Sequence, residues 1–305
     1  MNTLRLLAIV AGAALTACAS HENAPEQSVP KPETGFETQS NITFSPDGWP
    51  QSLQADLYLP RGEKPMPAAL LVHGGGWERR SREDMNWIAE HLASRGFAVM
   101  NIDYRFAPEY TFPAQLYDLQ VAMSWLHSQA DTHHLDRNAI SAFGFSSGAH
   151  LVSLMALVAE SGHPLNQPHG GEHAKPVAVV AGGLPGDLRA FGSGKLIRQF
   201  LDGEQEDIPG VYQAASPITH ITTGAPPFFL FHGAQDMLVP ASQAKEFRAR
   251  LTDHGVESEL YLMHLRGHIT SFLTAGDAVE KATDFLARHS ENSNQVSKAK
   301  DQRGN

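Results

Sequence analysis

Three residues lying far apart in this chain have the types and the order needed for nucleophilic acyl transfer: Ser146, Asp236 and His268. Ser146 is the central residue of Gly144-Phe-Ser-Ser-Gly148, which follows a β-rich run from Ala139 and leads straight into a helical pattern. A G-x-S-x-G pentapeptide in a strand-turn-helix setting makes a sharp elbow that lifts the serine hydroxyl out of the sheet edge. A serine hydroxyl is a weak nucleophile at neutral pH, so it needs a positioned base and a group that orients that base. Asp236 lies just beyond the apolar run Phe228 to Phe231, and His268 follows the run Glu259 to Met263, in a loop before the last helical pattern. Asp236 is the candidate orienting acid and His268 the candidate general base. The other histidines after Asp236 are placed less favourably: His254 and His289 fall at helix ends, and His264 points off the last strand.

Acyl transfer builds negative charge on the substrate oxygen, so preset N–H donors should surround it. Val72-His73-Gly-Gly-Gly76-Trp77 follows another apolar run, and glycines let backbone amides approach a substrate closely. The amides of Gly75, Gly76 and Ser147 are the candidate oxyanion donors, with His73 holding the loop. Trp77 is compatible with walling an acyl pocket or with covering the sheet edge.

Eight strand-like runs must carry these loops: Asn41 to Phe44, Gln54 to Leu59, Ala68 to Val72, Phe97 to Ile102, Ala139 to Phe143, Val177 to Val180, Phe228 to Phe231 and Glu259 to Met263. The later ones are short and continuously apolar, as expected of strands buried on both faces. Helical patterns fall between them at Arg82 to Ser94, Ala114 to Gln129, Ala149 to Glu160, Ala241 to His254 and Ser271 to Arg288. This alternation predicts an α/β fold with a mostly parallel sheet of about eight strands and helices on both faces. The Gly- and Pro-rich stretch from Gly182 to Ala225 is a candidate cover over the mouth of the site. His163, His169 and His173 sit close together in sequence, but their spacing matches no ligand motif, and no metal is expected.

The formal net charge of -10 argues against nucleic acid, which needs a clustered excess of Lys and Arg. Residues 1–17 read as a signal peptide, with Arg5 ahead of an apolar run from Leu6 to Leu15. Leu15-Thr-Ala-Cys18 resembles a bacterial lipobox, which implies that Cys18, the only cysteine, is lipidated and anchors the chain in a membrane by acyl chains. Neither Ala19 nor Ser20 is Asp, which by resemblance to lipoprotein sorting rules implies a bacterial cell envelope location with the outer membrane favoured. Residues 18–40 read as a lipidated N-terminus and flexible tether, 41–290 as the catalytic domain and 291–305 as a disordered tail.

Seven segments together resemble the α/β-hydrolases of the hormone-sensitive-lipase type, and among them the bacterial feruloyl and acetyl-xylan esterases. They are His73 to Trp77, Asp103 to Glu109, Phe112 to Asp118, Gly144 to Gly148, Ser216 to Thr219, His232 to Asp236 and Gly267-His268. The resemblance implies a serine hydrolase that cleaves carboxylic esters, short-chain or carbohydrate-linked, through an acyl-enzyme without a cofactor. The elbow departs from it, reading Phe-Ser-Ser-Gly-Ala where the larger family more often has Asp-Ser-Ala-Gly-Gly, which leaves subfamily and substrate open. The same three groups can cleave amides, as in formamidases and peptidases of this fold. A non-catalytic glycan-binding surface lipoprotein would differ by a broken triad or glycine loop, and neither is broken here.

Overall fold

The computed structural model describes residues 19–25, 33–62, 65–167, 169–192 and 194–301. Nine strands form one sheet: β1 (Ala19–Glu22), β2 (Phe36–Thr43), β3 (Gln54–Pro60), β4 (Met66–Val72), β5 (Ala98–Ile102), β6 (Leu135–Phe145), β7 (Val179–Gly182), β8 (Phe228–Gly233) and β9 (Ser258–Met263). Their spatial order is β1-β9-β8-β7-β6-β4-β5-β3-β2. All pairings from β5 through β4, β6, β7 and β8 to β9 are parallel, while β2, β3 and β1 add antiparallel edges. The α/β architecture is the one the alternating pattern predicts.

The apolar runs become the middle of the sheet because both of their faces are covered. Leu70 and Val72 belong to one core with α2 (Ala114–Ser128), α3 (Ser147–Ser161) and α6 (Ser242–Asp253); Ala69 and Leu71 belong to the other with α1 (Asn86–Ser94) and α8 (Gly276–Asp301). Helix α3 is buried at every residue from Ser147 to Val158, which makes it the rigid post behind the elbow. Three shorter helices complete the fold: α4 (Lys195–Leu201) and α5 (Pro209–Ala214) in the stretch expected to be a cover, and α7 (His268–Leu273) before α8.

Two expectations are corrected. Part of the stretch read as a tether is built into the sheet, since β1 pairs Ala19 with Met263 and Glu22 with Leu260 along the edge of β9, and β2 begins at Phe36. A bare β9 edge would leave a row of N–H and C=O groups unpaired, and the polar segment Ala-Ser-His-Glu fills it without needing an apolar run. His21 Nε2 lies 2.7 Å from Glu259 Oε2, Asn23 donates to the Ser258 carbonyl at 3.0 Å, and Glu22 pairs with Arg248. The expected tail from 291 instead continues α8 to Asp301, because no Gly or Pro lies between Gly276 and Asp301. Residues 1–18, including the signal-peptide segment and Cys18, lie outside the described residues. Among the described residues, no helix is long and apolar enough to cross a membrane.

Candidate active site

Strand β6 ends at Phe145, and Ser146 then takes φ 54°, ψ -119°, a conformation unfavourable for a residue with a side chain. The surrounding backbone holds it there: Ser146 N–H donates to the Gly182 carbonyl at 2.7 Å, and the carbonyl of Ser146 accepts from His150 at 3.0 Å in the first turn of α3. A Cβ on Gly148 would overlap the Val72 carbonyl oxygen, so a glycine there is the condition for pressing the elbow against β4. Strain at one residue is thus maintained by contacts from β4, β7 and the first turn of α3.

The acid and the base arrive from the neighbouring loops. Asp236 caps no helix; its Oδ1 accepts the amides of Leu238 at 2.9 Å and Val239 at 2.8 Å, which leaves Oδ2 for His268 Nδ1 at 2.6 Å. An ionised carboxylate only accepts hydrogen bonds, so Nδ1 carries the proton and Nε2 presents a lone pair. Nε2 lies 2.8 Å from Ser146 Oγ, whose hydroxyl donates to it. Burial raises the Asp236 pKa, but hydrogen bonds from His232, His268 and the Val239 amide outweigh this and hold the carboxyl below the usual range. His268 is the first residue of α7, not a loop residue ahead of a long helix as the periodicity implies.

His232 has no role in the sequence reading. It is fully buried, donates through Nε2 to the Val239 carbonyl at 2.8 Å, and has that nitrogen 3.4 Å from Asp236 Oδ2. Its place four residues before Asp236 was the available signal, yet nothing in the spacing says that the loop folds back over the ring.

The glycine loop lies against the elbow, with an added Cβ on Gly74 only 3.2 Å from Ser146 Cβ. Gly75 (φ +122°), Gly76 (φ +65°) and Trp77 (φ +61°) are three successive residues with positive φ. Gly75, Gly76, Ser146 and Ser147 all line one cavity of about 500 Å³. Among the described residues, the amides of Gly75, Gly76 and Ser147 have no protein acceptor, so they remain available to a substrate oxygen. His73 is buried, stacks on Tyr104 at 4.5 Å, and donates from Nδ1 to the Gly74 carbonyl at 2.5 Å. Burial lowers its pKa, so it serves the loop as a neutral ring. Tyr104 in turn bonds the Ser147 hydroxyl at 3.1 Å, while Arg105 pairs with the buried Asp118 at 2.7 Å away from the serine.

Of the two readings the sequence left open for Trp77, the structure supports the pocket wall. Trp77 lines the cavity and is also packed inward, stacked on Phe200 of α4 at 4.6 Å, with Nε1–H donating to His150 Nδ1 at 3.3 Å. His150 Nε2 donates to the Ala215 carbonyl at 2.7 Å, so both ring nitrogens are used only when the imidazole is neutral. Burial pushes this His down to about 4 from an ordinary 6.5. The unfolded chain therefore takes up this proton near pH 6.5 and the folded chain only near pH 4, so stability falls as pH drops through that window. The full effect is about 3 kcal/mol. His150→Gln is expected to flatten the decline of urea-unfolding free energy between pH 6.5 and pH 4; an unchanged slope would refute the linkage.

The cover expectation holds in part of its length, since Pro185, Phe191, Lys195, Leu196 and Ile197 close one side of the cavity. Phe145 of the pentapeptide also lines the cavity, together with Leu238, Ile269, Phe272 and Leu273, which sequence spacing did not single out. The three loop histidines do not converge: His163 packs on His220, His169 on Trp49 and Tyr117, and His173 on His127. Among the described residues no group of three His, Cys, Asp or Glu side chains can hold a metal.

Comparison with known proteins finds esterases among the relatives of this chain. A family model described as BD-FAE matches residues 55–251. Esterase LipC of Mycobacterium tuberculosis is 33% identical over 196 residues, covering 62% of this chain and 49% of LipC. Esterase LipQ of the same organism is 29% identical over 276 residues, covering 85% of this chain and 64% of LipQ. The chain thus spans roughly half to two thirds of the length of these curated relatives. A truncated carbohydrate esterase from gut microbiota superposes with a TM-score of 0.74 at 20% identity, covering 87% of this chain and all of that one, a likeness of fold.

Proposed function

The chain belongs to the BD-FAE family, and from that premise we propose that it hydrolyses carboxylic esters through a covalent acyl-enzyme. Ser146 Oγ attacks the ester carbonyl as His268 Nε2 takes its proton. Asp236 keeps the imidazole in the required tautomer and stabilises the imidazolium that forms. The amides of Gly75, Gly76 and Ser147 receive the oxyanion. His268 then gives its proton to the leaving alkoxide, and the same groups activate water to release the acid. The observation that carries this reading is the unbroken relay from Ser146 Oγ to His268 Nε2 at 2.8 Å and from His268 Nδ1 to Asp236 Oδ2 at 2.6 Å.

The substrates proposed are short-chain or carbohydrate-linked acyl esters. A cavity of about 500 Å³ bounded by Phe145, Phe191, Ile197 and Leu273 suits a compact acyl group. The proposal extends to the N-terminus: residues 1–17 direct export, and lipidated Cys18 attaches the enzyme to the bacterial cell envelope, favouring the outer membrane. Support for this is the Leu15-Thr-Ala-Cys18 pattern after the apolar run. Assaying acetylated xylan, feruloyl esters, p-nitrophenyl esters and the matching anilides side by side tests the activity. Turnover of esters at rates far above the anilides is expected; preferential cleavage of anilides would reject ester hydrolysis as the main reaction.

A further inference from the structure

The mouth of the cleft carries an apolar rim larger than a substrate pocket requires. Leu238, Ile269 and Leu273 line the cavity and are also exposed. Met237, 96% exposed, and Leu265, 64% exposed, lie outside the lining and still face solvent. They belong to one surface because the acid loop and the histidine loop are laced together, with Ala234 N–H on the Met263 carbonyl at 2.8 Å and Gln235 N–H on the Arg266 carbonyl at 2.9 Å. Contiguous exposed apolar side chains with a polar border mark a surface that meets something else.

Two further observations identify the occupant. In a chain of net charge -10, the border of this rim keeps a positive excess: Arg79, Arg80 and Lys195 are exposed at the mouth and Arg266 stands beside Thr274, while Arg79 pairs with Glu78 at 3.6 Å and Arg80 with Asp84 at 3.8 Å. Cations around an apolar patch fit the headgroups and acyl boundary of an anionic bilayer. In addition, the chain enters the described structure at the same edge of the sheet. Ala19 pairs with Met263, the last residue of β9, so the residue that follows Cys18 sits beside the loop that leads to Leu265 and His268.

We propose that the catalytic mouth lies against a lipid surface, with Met237, Leu238, Leu265, Ile269 and Leu273 dipping into the interface and the basic border on its headgroups. The anchored form of this arrangement rests on the reading of Cys18 as the lipidated terminus. An anchor emerging beside β9 holds the rim at the membrane, so the cleft opens toward esters that are dissolved in or lying on the bilayer.

The test uses the full chain with phosphatidylcholine vesicles containing phosphatidylglycerol and a lipid carrying an acyl-chain spin label. An environment-sensitive fluorophore is placed on Met237→Cys or, as control, on Asp253→Cys, an exposed site at the far end of α6. Quenching at position 237 and not at 253 is expected. The double variant Met237→Ser/Leu265→Ser should lose about tenfold in turnover of a vesicle-borne ester while keeping turnover of a soluble short ester. If the protein stays on the vesicles with both probes in water, the docking surface is wrong and the anchor stands. If the mass of the N-terminal peptide shows no acyl group, the anchor reading fails. The labelled chain carrying Cys18→Ser then decides alone: quenching at 237 upholds the surface, and its absence overturns it.

Discussion

Replacing Ser146 by alanine is expected to lower kcat by roughly a millionfold while leaving the fold intact, because the whole reaction passes through one oxygen atom. That oxygen bonds the His268 ring at 2.8 Å, and the unfavourable φ of 54° is held by backbone contacts that an alanine keeps. The midpoint of thermal unfolding should therefore move little, whereas turnover of any good ester should vanish into background. Three side chains that act as one unit also make a prediction about non-additivity. Ser146→Ala/His268→Ala should be no slower than either single variant, since a base without a nucleophile has nothing to deprotonate. Asp236→Asn should cost about ten-thousandfold by turning the imidazole to the wrong tautomer. Substantial turnover by purified Ser146→Ala, in a preparation free of other esterases, would remove Ser146 from the mechanism.

Gly75→Ala carries the second largest expected effect. The residue has φ +122°, and an added Cβ would run into the Arg79 carbonyl oxygen and press on the Arg80 side chain, so the loop must move. Any movement shifts the Gly75 and Gly76 amides away from the position of the developing oxyanion, for which the loss of one donor costs about 10²- to 10³-fold in kcat. KM should change far less, because these donors act most strongly on charge that is absent from the ground-state ester. Gly148→Ala makes the useful contrast. Its clash is with the Val72 and His73 carbonyls inside the sheet, so it should appear first as lost thermal stability and soluble yield. A Gly75→Ala enzyme with unchanged kcat would show that the oxyanion is held elsewhere.

Much of this was legible in the residues alone. The order Ser146, Asp236, His268 and the glycine loop at Gly75 and Gly76 could be located because buried parallel strands are written as short apolar runs, and the loops after their C-terminal ends are where ligands meet an α/β sheet. A local pattern fixes a strand, a turn or a helix, and four such patterns together specified where chemistry could occur. What needed the folded chain was everything whose cause is a distant partner. β1 is a polar tetrapeptide that becomes a strand only because β9 offers an open edge. Asp236 meets His268 and caps no helix, because the amides of Leu238 and Val239 take one of its oxygens and His268, thirty-two positions on, takes the other. His232 stands four residues before Asp236, but its bond to the Val239 carbonyl exists only once the loop closes over the ring. The exposed rim of Met237, Leu265 and their neighbours reads as scattered apolar residues until two loops are laced side by side. Propensity and periodicity act over a few residues, whereas contact, burial and charge balance are set by groups that only tertiary packing brings within a few ångströms.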